Sequence, residues 1–165
     1  MAYIIDGDRP LIFTANPRTG STAVANALKT MGAQITGGSH HSQPLYVPPS
    51  AIVFQVVRNH FEVINSFWFK SKPTGNFESF IGLVTSGGYE YVRVPKMYWR
   101  PVTHTVKYTD IDSGFKWVCN MAGLEPVEMS RTPTRTNVTA DEMFSKAMHD
   151  KVHEIYRDEI LYFGL

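Results

Sequence analysis

The stretch Leu11-Ile12-Phe13-Thr14-Ala15-Asn16-Pro17-Arg18-Thr19-Gly20-Ser21-Thr22 changes its character midway. Its first five residues form a short apolar run, and Asn16-Pro17 ends that run because proline cannot donate to a sheet ladder and starts a turn. From Gly20 onward the pattern is helical, with Val24, Ala27 or Leu28 and Met31 recurring until Gly32 closes the element. The segment therefore predicts a buried strand, a tight loop and a helix. That layout points backbone N–H groups and the positive end of a helix dipole at an anion.

The same pattern repeats outward along the chain. A short strand is expected at residues 34–36, followed by a loop that contains His40 and His41. Residues 51–57 are nearly continuous in apolar and β-branched side chains, as in a central parallel strand buried on both faces. Arg58 ends that strand, and Asn59 is suited to cap a helix in which Phe61, Ile64 and Trp68 share one face. Further helices are predicted over residues 77–84, 112–124 and 140–156, with a strand at 103–108; residues 89–101 fit no period. Strands separated by helices imply an α/β fold, a three-layer parallel sheet flanked by helices and joined by right-handed crossovers. Ligands of such sheets sit at the carboxyl ends of the strands, where residues 17–22, Arg58 and the histidine loop would emerge.

Bulk properties narrow the function. The 165 residues suffice for one core, so residues 1–165 are expected to form a single domain. Sixteen Lys and Arg against fifteen Asp and Glu give a formal charge of +1, which offers no general attraction to nucleic acid or to a membrane. Anion binding must then be local. The single cysteine, Cys119, cannot form an internal disulfide, and no signal peptide or spanning helix is read, so a reducing, cytoplasmic compartment is expected. No spacing among the histidines and Cys119 suggests a metal site.

Laid over the nucleotide triphosphatase loop G-x-x-x-x-G-K-[ST], the segment keeps the glycine at Gly20 and the hydroxyl at Thr22 but places Ser21 where the lysine belongs. The cation has moved to Arg18. The strand that would end in a magnesium-holding aspartate ends instead in Arg58, which repels a metal and attracts a second phosphate. The inferred ligand carries phosphate-like groups at two places and needs no magnesium.

These residues resemble the sulfotransferases, whose first loop has the form P-[KR]-[ST]-G-[ST]-T and whose later strand ends in R-N-x-x-x-[VI]-x-x-S. Pro17, Arg18, Thr19, Gly20, Ser21 and Thr22 match the first, and Arg58 to Ser66 resembles the second in spacing as well as type. Two weaker likenesses follow in order, Val106-Lys107-Tyr108-Thr109-Asp110-Ile111 to a Y-E-D-[LM] strand end and Ile155-Tyr156-Arg157-Asp158 with Phe163-Gly164 to the last helix. The resemblance implies a P-loop NTPase-like sulfotransferase fold and a donor, 3′-phosphoadenosine 5′-phosphosulfate (PAPS), that leaves as 3′-phosphoadenosine 5′-phosphate (PAP). It implies that residues 17–22 bind the 5′-phosphosulfate and that Arg58 and Ser66 bind the 3′-phosphate. Arg18 is then the stabiliser of charge in sulfuryl transfer, and a histidine of the loop, His41 ahead of His40, is the candidate base.

The likeness is incomplete in two respects. Ser39 stands where a lysine precedes the family's histidine, and Ala23 stands where cytosolic members place the tryptophan that stacks on adenine. Trp68, Trp99 and Trp117 read as core or surface anchors rather than stacking platforms. The acceptor, a small molecule, glycan or peptide, is not legible. Two other readings stay open: a P-loop nucleotide kinase or NTPase, disfavoured by Ser21 and Arg58, and a non-catalytic module that binds PAP or PAPS.

Overall fold

A computed structural model describes residues 2–36, 46–86, 102–130 and 139–165. The chain divides into two compact units, Met1–Val57 with Pro101–Thr132, and Arg58–Arg100 with Pro133–Leu165.

The first unit is a sheet with helices. Its strands are β1 (Ala2–Ile5), β2 (Leu11–Thr14), β3 (Gln34–Thr36), β4 (Ile52–Val57) and β5 (His104–Lys107), in the order β3-β1-β2-β4-β5. Helix α1 (Ser21–Thr30) follows β2. The helix we number α4 (Ile111–Met121) follows β5 through a 3-10 turn, Tyr108–Asp110.

The sheet corrects the expectation of an all-parallel arrangement. β2, β4 and β5 are parallel, but β1 pairs antiparallel with both β2 and β3, so the sheet is mixed. The physical reason is the N-terminal run Ala2-Tyr3-Ile4-Ile5. Ala2 and Tyr3 are buried, and the chain reverses through residues 6–10 to place Ile5 opposite Leu11. A short loop containing a glycine is a hairpin signal, and here it inserts a strand between β2 and β3.

Alternation along each strand separates two faces. Leu11, Phe13, Ile52, Phe54, Val56 and Val106 pack with Val24, Ala25, Ala27 and Leu28 of α1 and with Phe115, Val118 and Cys119 of α4. Phe13 and Phe54, paired across β2 and β4, lie with ring centroids 4.9 Å apart and are fully buried. Each such ring contributes roughly 2–3 kcal/mol by its burial. The alternate positions Ile12 and Val53 form a smaller cluster with Ala2 and Ala51.

Helix α4 crosses β5 at Gly114, where a Cβ would collide with a γ-methyl of Val106 and lie 3.2 Å from its Cβ. Val106 is β-branched and stiff, so it cannot turn away. Gly114→Ala should therefore destabilise by about 1–2 kcal/mol: overpacking costs about 1–3 kcal/mol, which exceeds the gain of up to about 1 kcal/mol in helix propensity. Thermal unfolding checks this. Cys119, fully buried on the same helix, has its thiol pushed up to about 11 by desolvation. A raised pKa stabilises the fold fully below the thiol's unfolded value, and that contribution is lost as the pH rises through 11. At pH 8 the thiol is neutral, and iodoacetamide should label Cys119 only at the rate at which the protein opens.

The second unit is helical. It contains α2 (His60–Ser71), α3 (Phe77–Thr85), α5 (Ala140–Met143) and α6 (Lys146–Phe163). The helix expected over 140–156 is thus two. Ser145 interrupts it and caps α6 by accepting from the Met148 amide at 3.4 Å, and α6 runs on to a left-handed Gly164. Thr139 and Glu142 form a capping box for α5, with the Thr139 amide and hydroxyl donating to the carboxylate at 2.7 and 3.0 Å. These bonds hold the Glu142 carboxyl below its usual range. No described helix is long and apolar enough to cross a membrane.

Candidate functional site

β2 carries the chain into the loop at Asn16, which is fully buried together with Thr19, while Pro17 and Arg18 are partly exposed. Arg18 sits at φ 62°, in the left-handed region that only glycine enters without strain. A conformation costing about 1–3 kcal/mol persists only where its surroundings fix it. Here the Thr19 hydroxyl donates to the Asn16 carbonyl at 3.0 Å, and Asn16 Nδ2 donates to Gln55 Oε1 and to the Val56 carbonyl, each at 3.1 Å.

Gly20 follows at φ 81°. A Cβ there would stand 2.8 Å from the Tyr108 ring and 3.0 Å from Ile111 Cδ1. Glycine is thus required twice, once for its backbone and once because β5 and α4 crowd the loop.

α1 begins at Ser21 with no side-chain cap and no acidic residue in its first turn. The Ala23 and Val24 amides both turn back to the Gly20 carbonyl, at 3.0 and 3.4 Å. The amides of Ser21 and Thr22 precede these and have no acceptor within the helix. Ser21 is buried and Thr22 exposed. Left-handed backbone at Arg18 and at Gly20, helix N-terminal amides and a cationic side chain fall in one loop, a combination suited to a phosphate or sulfate oxygen. All six residues of the predicted loop, Pro17, Arg18, Thr19, Gly20, Ser21 and Thr22, belong to it.

Arg58 and Ser66 fall in the helical unit. Arg58 is the residue after β4, and its Nε donates to Glu62 Oε2 at 2.6 Å, with the two side chains 15% and 47% exposed. Glu62 takes one of the five guanidinium donors. Asn59 caps α2 as expected, its Oδ1 accepting from the Phe61 amide at 2.9 Å. Arg58, Glu62 and Ser66 recur every fourth residue and so share one face of the helix and its approach. The candidate bases His40 and His41 lie outside the described residues, as does Trp99. Trp68 packs against Phe77 and Phe80, and Trp117, about half exposed, meets His104 edge-on. Among the described residues no three His, Cys, Asp or Glu side chains could hold a metal ion.

Two polar arrangements escaped the sequence reading. Gln55 is fully buried in β4, and besides Asn16 it reaches the Thr105 hydroxyl of β5 at 3.5 Å through Nε2. Its signal was a lone amide inside the apolar run Ile52-Val53-Phe54-Gln55-Val56-Val57. In the helical unit His60 Nε2 meets Glu159 Oε2 at 2.6 Å, both side chains essentially inaccessible, and Tyr156 stacks on the imidazole at 4.6 Å. Burial and then the Glu159 charge push the Tyr156 phenol above its ordinary range. Its hydroxyl has no hydrogen-bond partner among the described residues. No local pattern could have joined partners 99 positions apart.

Comparison with known proteins finds no matching family model, no matching curated protein and no matching solved structure.

Proposed function

We propose that this chain is a sulfotransferase of the P-loop-like fold that binds PAPS and moves its sulfuryl group to a hydroxyl or amine of an acceptor. The observation that carries the reading is the start of α1: uncapped, free of acidic side chains, preceded by Arg18, and with Ser21 in the place of the lysine that serves ATP. In this reading the amides of residues 19–22 and the Arg18 guanidinium hold the 5′-phosphosulfate. Arg18 then stabilises the charge that develops on the bridging oxygen as the sulfur–oxygen bond breaks. Arg58 and Ser66 take the 3′-phosphate, and His41 or His40 takes the acceptor's proton. PAP leaves as product, and the reaction asks for no metal.

Calorimetric titration with PAP in the presence of EDTA tests the donor assignment. Binding should persist without metal and weaken by roughly 10–100-fold in Arg58→Ala, the loss of one charge-assisted contact. A requirement for magnesium with preference for ATP would favour the NTPase reading instead. PAP release from PAPS on addition of hydroxyl or amine acceptors tests turnover, and binding without release would favour a non-catalytic module.

The Arg58–Glu62 pair adds a prediction of its own. A carboxylate four residues along a helix competes with the phosphate for the same guanidinium, but helix pairs at this spacing are worth only about 0.3–0.5 kcal/mol. Glu62→Gln should tighten PAP by about twofold, and added salt should reduce the difference.

A further inference from the structure

A row of polar side chains crosses the carboxyl end of the parallel strands on the sheet face opposite α1 and α4. Thr14 Oγ1 donates to the Phe54 carbonyl at 3.3 Å, Asn16 Nδ2 reaches Gln55, and Gln55 Nε2 reaches Thr105. The orientation of the two amides is fixed by chemistry. Val56 offers Asn16 a carbonyl, which can only accept, so Nδ2 must face it and Gln55 must turn its oxygen to Asn16. Gln55 then has its Nε2 left for Thr105. Every bond in this row has one allowed direction: those of Thr14 and Asn16 tie β2 and its end to β4, and that of Gln55 to Thr105 ties β4 to β5.

Both ends of the row bear on the anion loop. Asn16 is its first residue, and its carbonyl receives the Thr19 hydroxyl that holds the strained Arg18. β5, held at Thr105, runs three residues on to Tyr108, whose ring lies against Gly20. A fully buried glutamine in a central strand is costly unless its amide is satisfied, and apolar neighbours would fill the place with less penalty.

We infer that Gln55 is a positioning residue: through Asn16 on one side and Thr105 on the other, it sets the loop at residues 17–22 in its anion-binding shape. This deepens the donor-site reading and rests on it. Gln55 itself touches no ligand.

The test compares wild type, Gln55→Met, Gln55→Glu and Thr105→Val by hydrogen exchange and by PAP titration. Gln55→Met keeps the volume and removes both bonds. Exchange at the amides of residues 19–22 should quicken about tenfold and PAP affinity should fall about tenfold, while exchange in α4 stays at the wild-type rate. Gln55→Glu retains the acceptor for Asn16 and, at pH 5, where the buried acid is protonated, a donor for Thr105. Its affinity there should return to within about threefold of wild type, and it should fall as the pH rises. Thr105→Val alters a side chain exposed to solvent, so it folds even if the Gln55 variants do not, and it should raise loop exchange about threefold. Unchanged loop exchange in Thr105→Val, wild-type PAP affinity in Gln55→Met, or exchange raised equally in α4 would overturn the inference. Failure of wild type to bind PAP would instead remove the donor reading, with loop exchange still reporting whether Gln55 shapes the loop.

Discussion

Glu159→Ala should lower stability by about 3–5 kcal/mol, the loss observed when one member of a buried pair is removed and the other stays behind. In a chain of this size that is roughly 6–20 °C in the unfolding midpoint. The cause is specific to the site. His60 lies in the first turn of α2, is inaccessible to solvent, and meets Glu159 at 2.6 Å under the stacked ring of Tyr156. Alanine leaves the imidazole without that carboxylate and opens a cavity against Tyr156. His60→Leu combined with Glu159→Leu should be far less harmful than the sum of the single changes, because both polar groups leave together. Thermal and urea unfolding of the double-mutant cycle measures this coupling. Additive losses would mean that the two side chains do not act as a pair.

Arg18→Gly should separate binding from folding. In the proposed function the Arg18 guanidinium is the cation that meets the anion, and its removal should weaken PAP by roughly 10–100-fold. The backbone at φ 62° suits glycine better than arginine, so the midpoint of unfolding should stay level or rise. Arg18→Ala should lose the same affinity and, keeping a Cβ in the left-handed region, gain no stability. Arg18→Lys retains the charge without the planar fork and should fall between. A variant that loses affinity only in step with its unfolding midpoint would place Arg18 in the fold and not in the site.

The fold was legible wherever local chemistry decides it. Asn16-Pro17 and Gly20 mark the loop, Asn59 marks the start of α2, and the apolar run ending at Val57 marks the central strand. The sequence reading failed where the deciding signal is short and sits beside a stronger pattern. Ala2–Ile5 is too short and too close to the chain start to stand out, and only its ladders with β2 and β3 make it a strand. The apolar spacing over 140–156 runs straight through Phe144 and Ser145, so the break between α5 and α6 showed only in the polar signals, the serine cap and the box at Thr139.

The site divides in the same way. The six loop residues were named from their pattern, and in the fold they lead from β2 into the start of α1, with Arg18 and Gly20 left-handed. The residues that hold the loop, Asn16, Gln55 and Tyr108, were not assigned that role. Asn16 and Gln55 lie 39 positions apart, and Tyr108 meets Gly20 only because β5 ends beside it. Arg58 was read as a phosphate ligand, and its bridge to Glu62 was overlooked although the four-residue spacing was visible.

The central claim is that the loop before α1 serves a nucleotide with a 3′-phosphate and not ATP. Thermal unfolding with PAP, against ATP plus magnesium, tests it most directly. A ligand that binds only the folded chain stabilises by about 2.7 kcal/mol at a hundred times its dissociation constant, which here means a rise of roughly 5–10 °C. The account predicts that rise with PAP in EDTA, little or none with ATP and magnesium, and a much reduced rise with PAP in Arg58→Ala. A larger shift with ATP and magnesium, or a PAP shift indifferent to Arg58→Ala, would contradict it.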